Sequence, residues 1–322
     1  MGLWRISADV LAGSRFVVSP LAETVASLAA FGGQHATSAA QREWLGEHGP
    51  ALRARWGDDP FALPFLHAAI RPGWIADFLV KPPRADDPAF AGELARLAAT
   101  TDADALAHIA EEYDRPVPPV LREPGLVGRA VELIAWTWEH TLAGDWPRRR
   151  RVLQADVVAR TERLSSGGWA AVLDGLRPGM RWLGDGRLQV NTYDYPPRTV
   201  TGGRLLFIPT TAPRGWVAWE EPGDTHALVY PCRGWLAETT TARAAAPLAR
   251  LLGPVRAEIL QLLLDAPKST TQLVALTGHG LGSVGGHLRV LHDAGLVQRR
   301  RSGRSVLYYR TRLGADLAGS RQ

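Results

Sequence analysis

The stretch S-V-G-G-H-L-R-V-L-H-D-A-G-L-V-Q-R-R-R-S-G-R-S-V-L-Y-Y-R, residues 283–310, changes its hydrophobic period halfway along. Val284, Leu288, Leu291 and the Ala294/Leu296 edge recur at about helical spacing, so residues 281–294 can bury one face while His287, Arg289 and Asp293 point away. Gly295 supplies a left-handed C-cap that ends the helix. Leu296 to Arg301 then reads as extended, and Ser302-Gly303-Arg304 makes a tight turn into Val306-Leu307-Tyr308-Tyr309. A hairpin with an arginine-loaded tip thus follows an amphipathic helix directly.

Upstream, Pro254 suits the first position of a helix in which Val255, Ile259, Leu262 and Leu263 form one apolar stripe. Ser269 to Leu276 reads as a second, short helix with a Ser/Thr start, broken by Thr277-Gly278-His279-Gly280. Three helices and a wing in this order predict a winged helix-turn-helix, which points to duplex DNA. Charge supports the same reading. From Pro247 onward 11 Lys/Arg face 4 Asp/Glu, a formal +7, whereas the rest of the chain has 26 and 28, a formal −2. Positive charge is therefore localised, as a phosphate-facing surface requires. Arginine outnumbers lysine 35 to 2, but alanine and glycine are abundant too, so the regional asymmetry is the better argument.

Three spaced motifs agree: L-G-P-V-R-A-E-I-L-Q-L-L (252–263), S-V-x-x-H-L-R-V-L-x-x-A-G-L-V (283–297) and R-R-x-G-R-x-V-x-Y (300–308). Together they resemble the DNA-binding domain of the ArsR family of bacterial transcriptional regulators, over about the last quarter of the chain. S-R-F-V-V-S-P-L-A-E-T-V-A-S-L (14–28) resembles the start of a large N-terminal region in some actinobacterial regulators of this group. The first resemblance implies that Ser283, Gly285, Gly286, His287 and Arg289 lie near the major groove, with Ser269 and Thr270 at the phosphate backbone. It also implies that Arg299, Arg300, Arg301 and Arg304 make the phosphate or minor-groove contacts of the wing; the alternative is a solvated basic turn.

The family more often carries polar side chains where this chain has Gly285 and Gly286. Each glycine costs roughly 1 kcal/mol of helix propensity against alanine. Either the pair lets the helix backbone approach DNA closely, or base readout by this helix is weak. His287 reads equally as a locally bonded residue packed under the helix and as a DNA contact.

Many members of the resembling family respond to metals, through Cys pairs on the second helix or Asp/His sets after the wing. Ser269 to Leu276 contains no Cys, and no His follows Arg310. His279, His287 and His292 do not share one helical face, so no metal and no cofactor is expected. The single cysteine, Cys232, allows neither an intramolecular disulfide nor a multi-Cys cage and reads as a packing residue. A helix after the wing usually joins the dimer interface in this family, and residues 311–322 allow only a brief one. A homodimer on a palindromic operator would then need the N-terminal region in its interface.

That region reads as mainly helical. Ser19-Pro20-Leu21-Ala22-Glu23 opens a helix toward Phe31, and residues 40–56, 61–80, 88–99, 102–113, 125–143, 146–165 and 168–176 follow. After Pro178, β-prone runs at 180–183, 187–190, 205–208, 216–219 and 226–230 suggest a small antiparallel sheet. The chain is read as α+β. Residues 1–178 form a mainly helical dimerisation and regulatory region, 179–236 a small antiparallel β subregion, 237–247 a linker or connecting helix, and 248–322 the winged helix-turn-helix.

All 12 Trp lie before residue 236. They read chiefly as core, with an aromatic pocket for a small organic effector as the alternative. Arg148 to Arg151 reads as a solvated helix start. No phosphate loop, G-x-S-x-G elbow or H-E-x-x-H is present, so an enzyme is not expected. No apolar run of about 18 residues and no signal-peptide pattern occurs, and a soluble cytoplasmic protein without a membrane partner is expected. The expectation is a DNA-binding transcriptional regulator, a repressor, controlled by an unknown effector or partner through its N-terminal region. The competing reading is an enzyme or protein-interaction module with a basic tail that tethers it to nucleic acid.

Overall fold

A computed structural model describes residues 2–33, 39–84, 89–111, 113, 115–200, 203–220, 225–232, 247–264, 267–302 and 305–319. Of the described residues 55% are helical and 18% strand, the α+β mixture expected. It separates into two compact units: residues 1–147 with 173–231, and residues 148–172 with 232–322. The chain therefore does not divide at residue 178 or at 237. The expected connection over 237–247 lies outside the described residues except at its end, where 247–252 are helical.

In the first unit, helices pack around a core that includes Leu28, Leu52, Phe61, Phe65, Leu66, Phe78, Leu133 and Ile134. The helix Pro20–Phe31 starts as its sequence predicts: the Ser19 hydroxyl accepts from Ala22 N at 3.0 Å and Pro20 occupies the first turn. Glu23 does more than complement the helix dipole. It is fully buried, where its carboxylate accepts from the Thr210 hydroxyl and Thr211 N, each at 3.0 Å, and from the Thr211 hydroxyl. Buried carboxylates need such partners.

The expected helix 61–80 is cut short. Pro72-Gly73 breaks the pattern, so Ala62–Ala69 is followed by a two-stranded hairpin, β3 (Ile70–Arg71) and β4 (Trp74–Ile75), that turns at Gly73 with φ 83°. A helical pattern cannot pass Pro-Gly without losing a hydrogen bond and backbone order.

Two strands before these, β1 (Leu3–Ile6) and β2 (Arg15–Phe16), draw the N-terminus into sheets with the later segments. The first sheet has the order β5 (Arg181–Gly184), β6 (Arg187–Gln189), β1, β7 (Arg198–Val200). The second has the order β2, β8 (Arg204–Thr210), β10 (Thr225–Pro231), β9 (Val217–Glu220). Antiparallel pairs β1/β6, β5/β6 and β9/β10 are joined by parallel pairs β1/β7, β2/β8 and β8/β10. The β subregion is thus neither confined to 179–236 nor antiparallel throughout. β8 is buried at every position but its first, the pattern of a strand covered on both faces.

The long helix Trp146–Leu173 belongs mostly to the second unit. Gly168, with φ 66° and ψ −174°, interrupts it near the end, where the sequence suggests two helices. In its basic start Arg149 is buried and Arg151 half-buried, so the run is not simply solvated. One turn further, Asp156 and Arg160 form a buried ion pair at 3.4 Å.

Candidate nucleic-acid interface

The three helices expected for the winged helix-turn-helix are Pro254–Leu262, Thr270–Thr277 and Leu281–Asp293. They are followed by β12 (Val297–Ser302), β13 (Ser305–Arg310) and a short helix, Arg312–Leu317. A strand unseen in the sequence pattern, β11 (Lys268–Ser269), pairs with β13 and makes the wing a three-stranded sheet.

The third helix buries Val284, Leu288 and Leu291, the stripe its spacing predicts. It ends as Gly295 predicts: φ there is 68°, and Leu296 N returns to Leu291 O at 2.9 Å. The opposite side exposes Ser283, Gly286 and Arg289, while Gly285 and His287 are half-buried. A Cβ added at Gly282, Gly285 or Gly286 would meet nothing within 4 Å. These glycines are therefore not demanded by packing within the chain. They leave the N-terminal half of the exposed face with few side chains, Leu281 and Ser283 among them.

The second helix is bonded from outside at its start. Ser269 caps it reciprocally: its hydroxyl accepts from Gln272 N at 3.2 Å, and its own N–H donates to Gln272 Oε1 at 2.6 Å. The same hydroxyl donates to Glu162 Oε1 of the long helix at 2.8 Å. Ser269 is only 3% exposed. The expectation of a phosphate contact from Ser269 is corrected to a capping role, because its hydroxyl is already committed to Gln272 and Glu162. Thr270, the next residue, is half-buried. At the other end Gly278 takes φ 71°, and its α-carbon lies so that an added Cβ would be 3.5 Å from Arg151 Cδ of the long helix.

In the wing, Arg299 pairs with Tyr308, Arg300 with Leu307 and Arg301 with Val306. Strand alternation sends Arg299 and Arg301 to one face and Arg300 to the other. All three are exposed, and the Arg300 guanidinium stands 5.9 Å from the Tyr309 ring centre. The wing arginines are thus not one cluster but a band on both faces. Arg304 lies outside the described residues. The short helix beyond the wing is pinned to the third: Thr311 N donates to Leu296 O at 3.1 Å, and a Cβ on Gly314 would come within 2.1 Å of Leu296 O, so only glycine fits there.

Among the described residues no three His, Cys, Asp or Glu side chains gather as a metal-ligand group, and no helix is long and apolar enough to cross a membrane. Residues 253–299, within the C-terminal quarter of the chain, match the family model described as bacterial regulatory protein, arsR family. No curated protein matches the chain as a relative. The matched segment spans all three helices and the first residues of the wing, and it identifies the chain as a DNA-binding transcription regulator.

Proposed function

We propose that this regulator is a cytoplasmic repressor that binds its operator as a homodimer and answers to a small organic effector held by the first unit. Ser283, Gly285, Gly286, His287 and Arg289 face the major groove in this reading. Thr270 lies at the phosphate backbone, and Arg299, Arg300, Arg301 and Arg304 track phosphates from the wing. The observation that carries it is the two-sided third helix: an apolar stripe buried in the unit, and an exposed face of Ser283, Gly286 and Arg289 beside an arginine-bearing hairpin. Exposed Leu313 and Leu317, one turn apart on the short final helix, support a contribution from this end to self-association. A cavity in the first unit supports the effector.

The experiment is a chromosomal footprint followed by titration of the recovered fragment at several salt concentrations. Replacing Arg299, Arg300, Arg301 and Arg304 with Ala is expected to flatten the log K against log salt slope by about 0.9 for each phosphate no longer neutralised, roughly 3 to 4 in all. An unchanged slope would refute the wing assignment. Light scattering of the free protein tests the dimer. The first unit is taken to bind its ligand without transforming it, and turnover of any bound compound would overturn that part in favour of an enzyme.

A further inference from the structure

The first unit encloses a cavity of about 880 Å³, well within the range of small-molecule sites. Its walls include the rings of Trp4, Trp74, Tyr193, Tyr195, Trp216 and Trp219. The close fit is built by glycine: Gly73, at the hairpin turn, lies so near Tyr193 that an added Cβ would be 2.6 Å from its hydroxyl oxygen. Large aromatic faces set around an open volume favour a flat apolar ligand.

Arg177 also lines the cavity. It is 8% exposed; its Nη1 is buried within the protein without a hydrogen-bond partner, so the surface that Arg177 gives the cavity belongs to its other atoms. Among the described residues no carboxylate forms an ion pair with it; Tyr193 is the titratable group that acts on its charge. Burial pushes its pKa down to about 10, which still leaves a full positive charge at neutral pH. Buried charges are ordinarily paired, so a lone guanidinium in a cavity wall is an unmet half of an ion pair. Arg198 is engaged differently, its guanidinium 4.0 Å over the Trp219 ring. Asp77 borders the same space, and burial, reinforced by Glu111 and opposed by Arg198, raises its pKa to about 6. Near neutrality it therefore takes up a proton readily when an anion enters.

We propose that this cavity binds a small aromatic acid, with its rings between the tryptophan and tyrosine faces and its carboxylate on Arg177. A planar guanidinium matches a carboxylate through paired donors, and Arg214 adds a second cation to the same lining. This assignment rests on the effector reading above and names its ligand class.

The test uses the full-length protein and calorimetric titration with benzoate, 1-naphthoate and anthracene-2-carboxylate, each beside its uncharged primary amide. At least one acid is expected to bind about tenfold or more tighter than its amide, the advantage of a charged hydrogen bond over a neutral one. Arg177→Met should reduce that acid to the level of its amide, and Arg177→Lys should retain part of the advantage. Binding by no acid, equal binding of acid and amide, or an advantage that survives Arg177→Met overturns the site. If Arg177→Met does not fold, the comparison on the unaltered protein decides alone. Operator affinity is then measured with the tightest acid present: binding without any change in operator affinity keeps the site and removes the effector reading.

Discussion

Replacing Gly285 and Gly286 with alanine separates what the fold needs from what DNA needs. Neither position has a positive φ, and an added Cβ at either meets nothing within 4 Å, so the substitution carries no steric cost inside the chain. Alanine is favoured over glycine in a helix by roughly 1 kcal/mol per site, so the double variant should be about 2 kcal/mol more stable. For a unit of this size that is a rise of roughly 8 °C in Tm if it unfolds by itself. The same two methyl groups stand on the side of the helix assigned to the groove. If the bare backbone is there to approach DNA, they hold the helix away and cost at least one charged hydrogen bond, about 1.5 to 3 kcal/mol, or roughly tenfold to a hundredfold in Kd. Thermal unfolding and fluorescence anisotropy on the footprinted fragment, at one salt concentration, measure both quantities. Gly128→Ala is the control: Gly128 is exposed in a helix of the first unit with open space around its α-carbon, and it should stabilise without touching DNA affinity. A double variant that gains stability and binds as tightly as before refutes close approach and leaves weak base readout as the explanation of the glycines.

Other perturbations follow from buried polar groups. Arg177→Met should raise the Tm of the ligand-free protein: burial lowers the guanidinium's pKa to about 10, a desolvation cost on the order of 3 kcal/mol that is fully present at neutral pH and relieved only above about pH 10. A fall in Tm would show that the guanidinium is paired in solution. Asp77, with its pKa raised from 3.8 to about 6, binds its proton more tightly folded than unfolded, so its contribution to stability is present below pH 4 and is lost as pH rises through about 6. Asp77→Asn should therefore flatten the Tm profile between pH 4 and 6, and an unchanged profile counts against the assignment. Ser269→Ala removes a helix cap and strands the Glu162 carboxylate, and a loss of about 1 to 2 kcal/mol is expected by denaturant titration; a neutral effect would mean the capping box is not made.

The winged helix-turn-helix is legible in its sequence because its information is local. The third helix declares itself by Val284, Leu288 and Leu291, its end by Gly295, and the wing by a change of period within the next few residues. The cavity is not legible in this way. Arg177, Trp4, Trp74 and Trp219 come from separate parts of the chain and meet only through sheets whose strands are far apart in sequence, such as Leu3 with Gln189 and Trp4 with Arg198. One of its features did leave a local mark: Pro72-Gly73 interrupts an otherwise helical run, and the hairpin it forces places Gly73, Trp74 and Asp77 at the cavity. Ser269 misleads for a related reason. A serine at a helix start fits both a phosphate contact and a cap, and only the distant Glu162 decides between them.

In the effector reading proposed above, the covalent route from the first unit to the DNA-binding helices runs along the long helix. The backbone leaves the first unit after Pro147 and returns to it at Leu173, so residues 148–172 are covalently tied to the first unit at both ends while they pack in the second. Within the second unit this helix bonds the start of the second DNA-binding helix through Glu162 on Ser269, and Arg151 lies near its end at Gly278. A shift of the long helix relative to the second helix would therefore stretch the part-buried Ser269–Glu162 bond. The third helix is joined to the second by the short turn 278–280 and shares its core. To change operator affinity tenfold, a ligand needs only about 1.4 kcal/mol of preference for one arrangement of these elements, about the worth of one charged hydrogen bond. The proposed acid would supply such a preference at Arg177, which lies four residues beyond Leu173, where the chain re-enters the first unit.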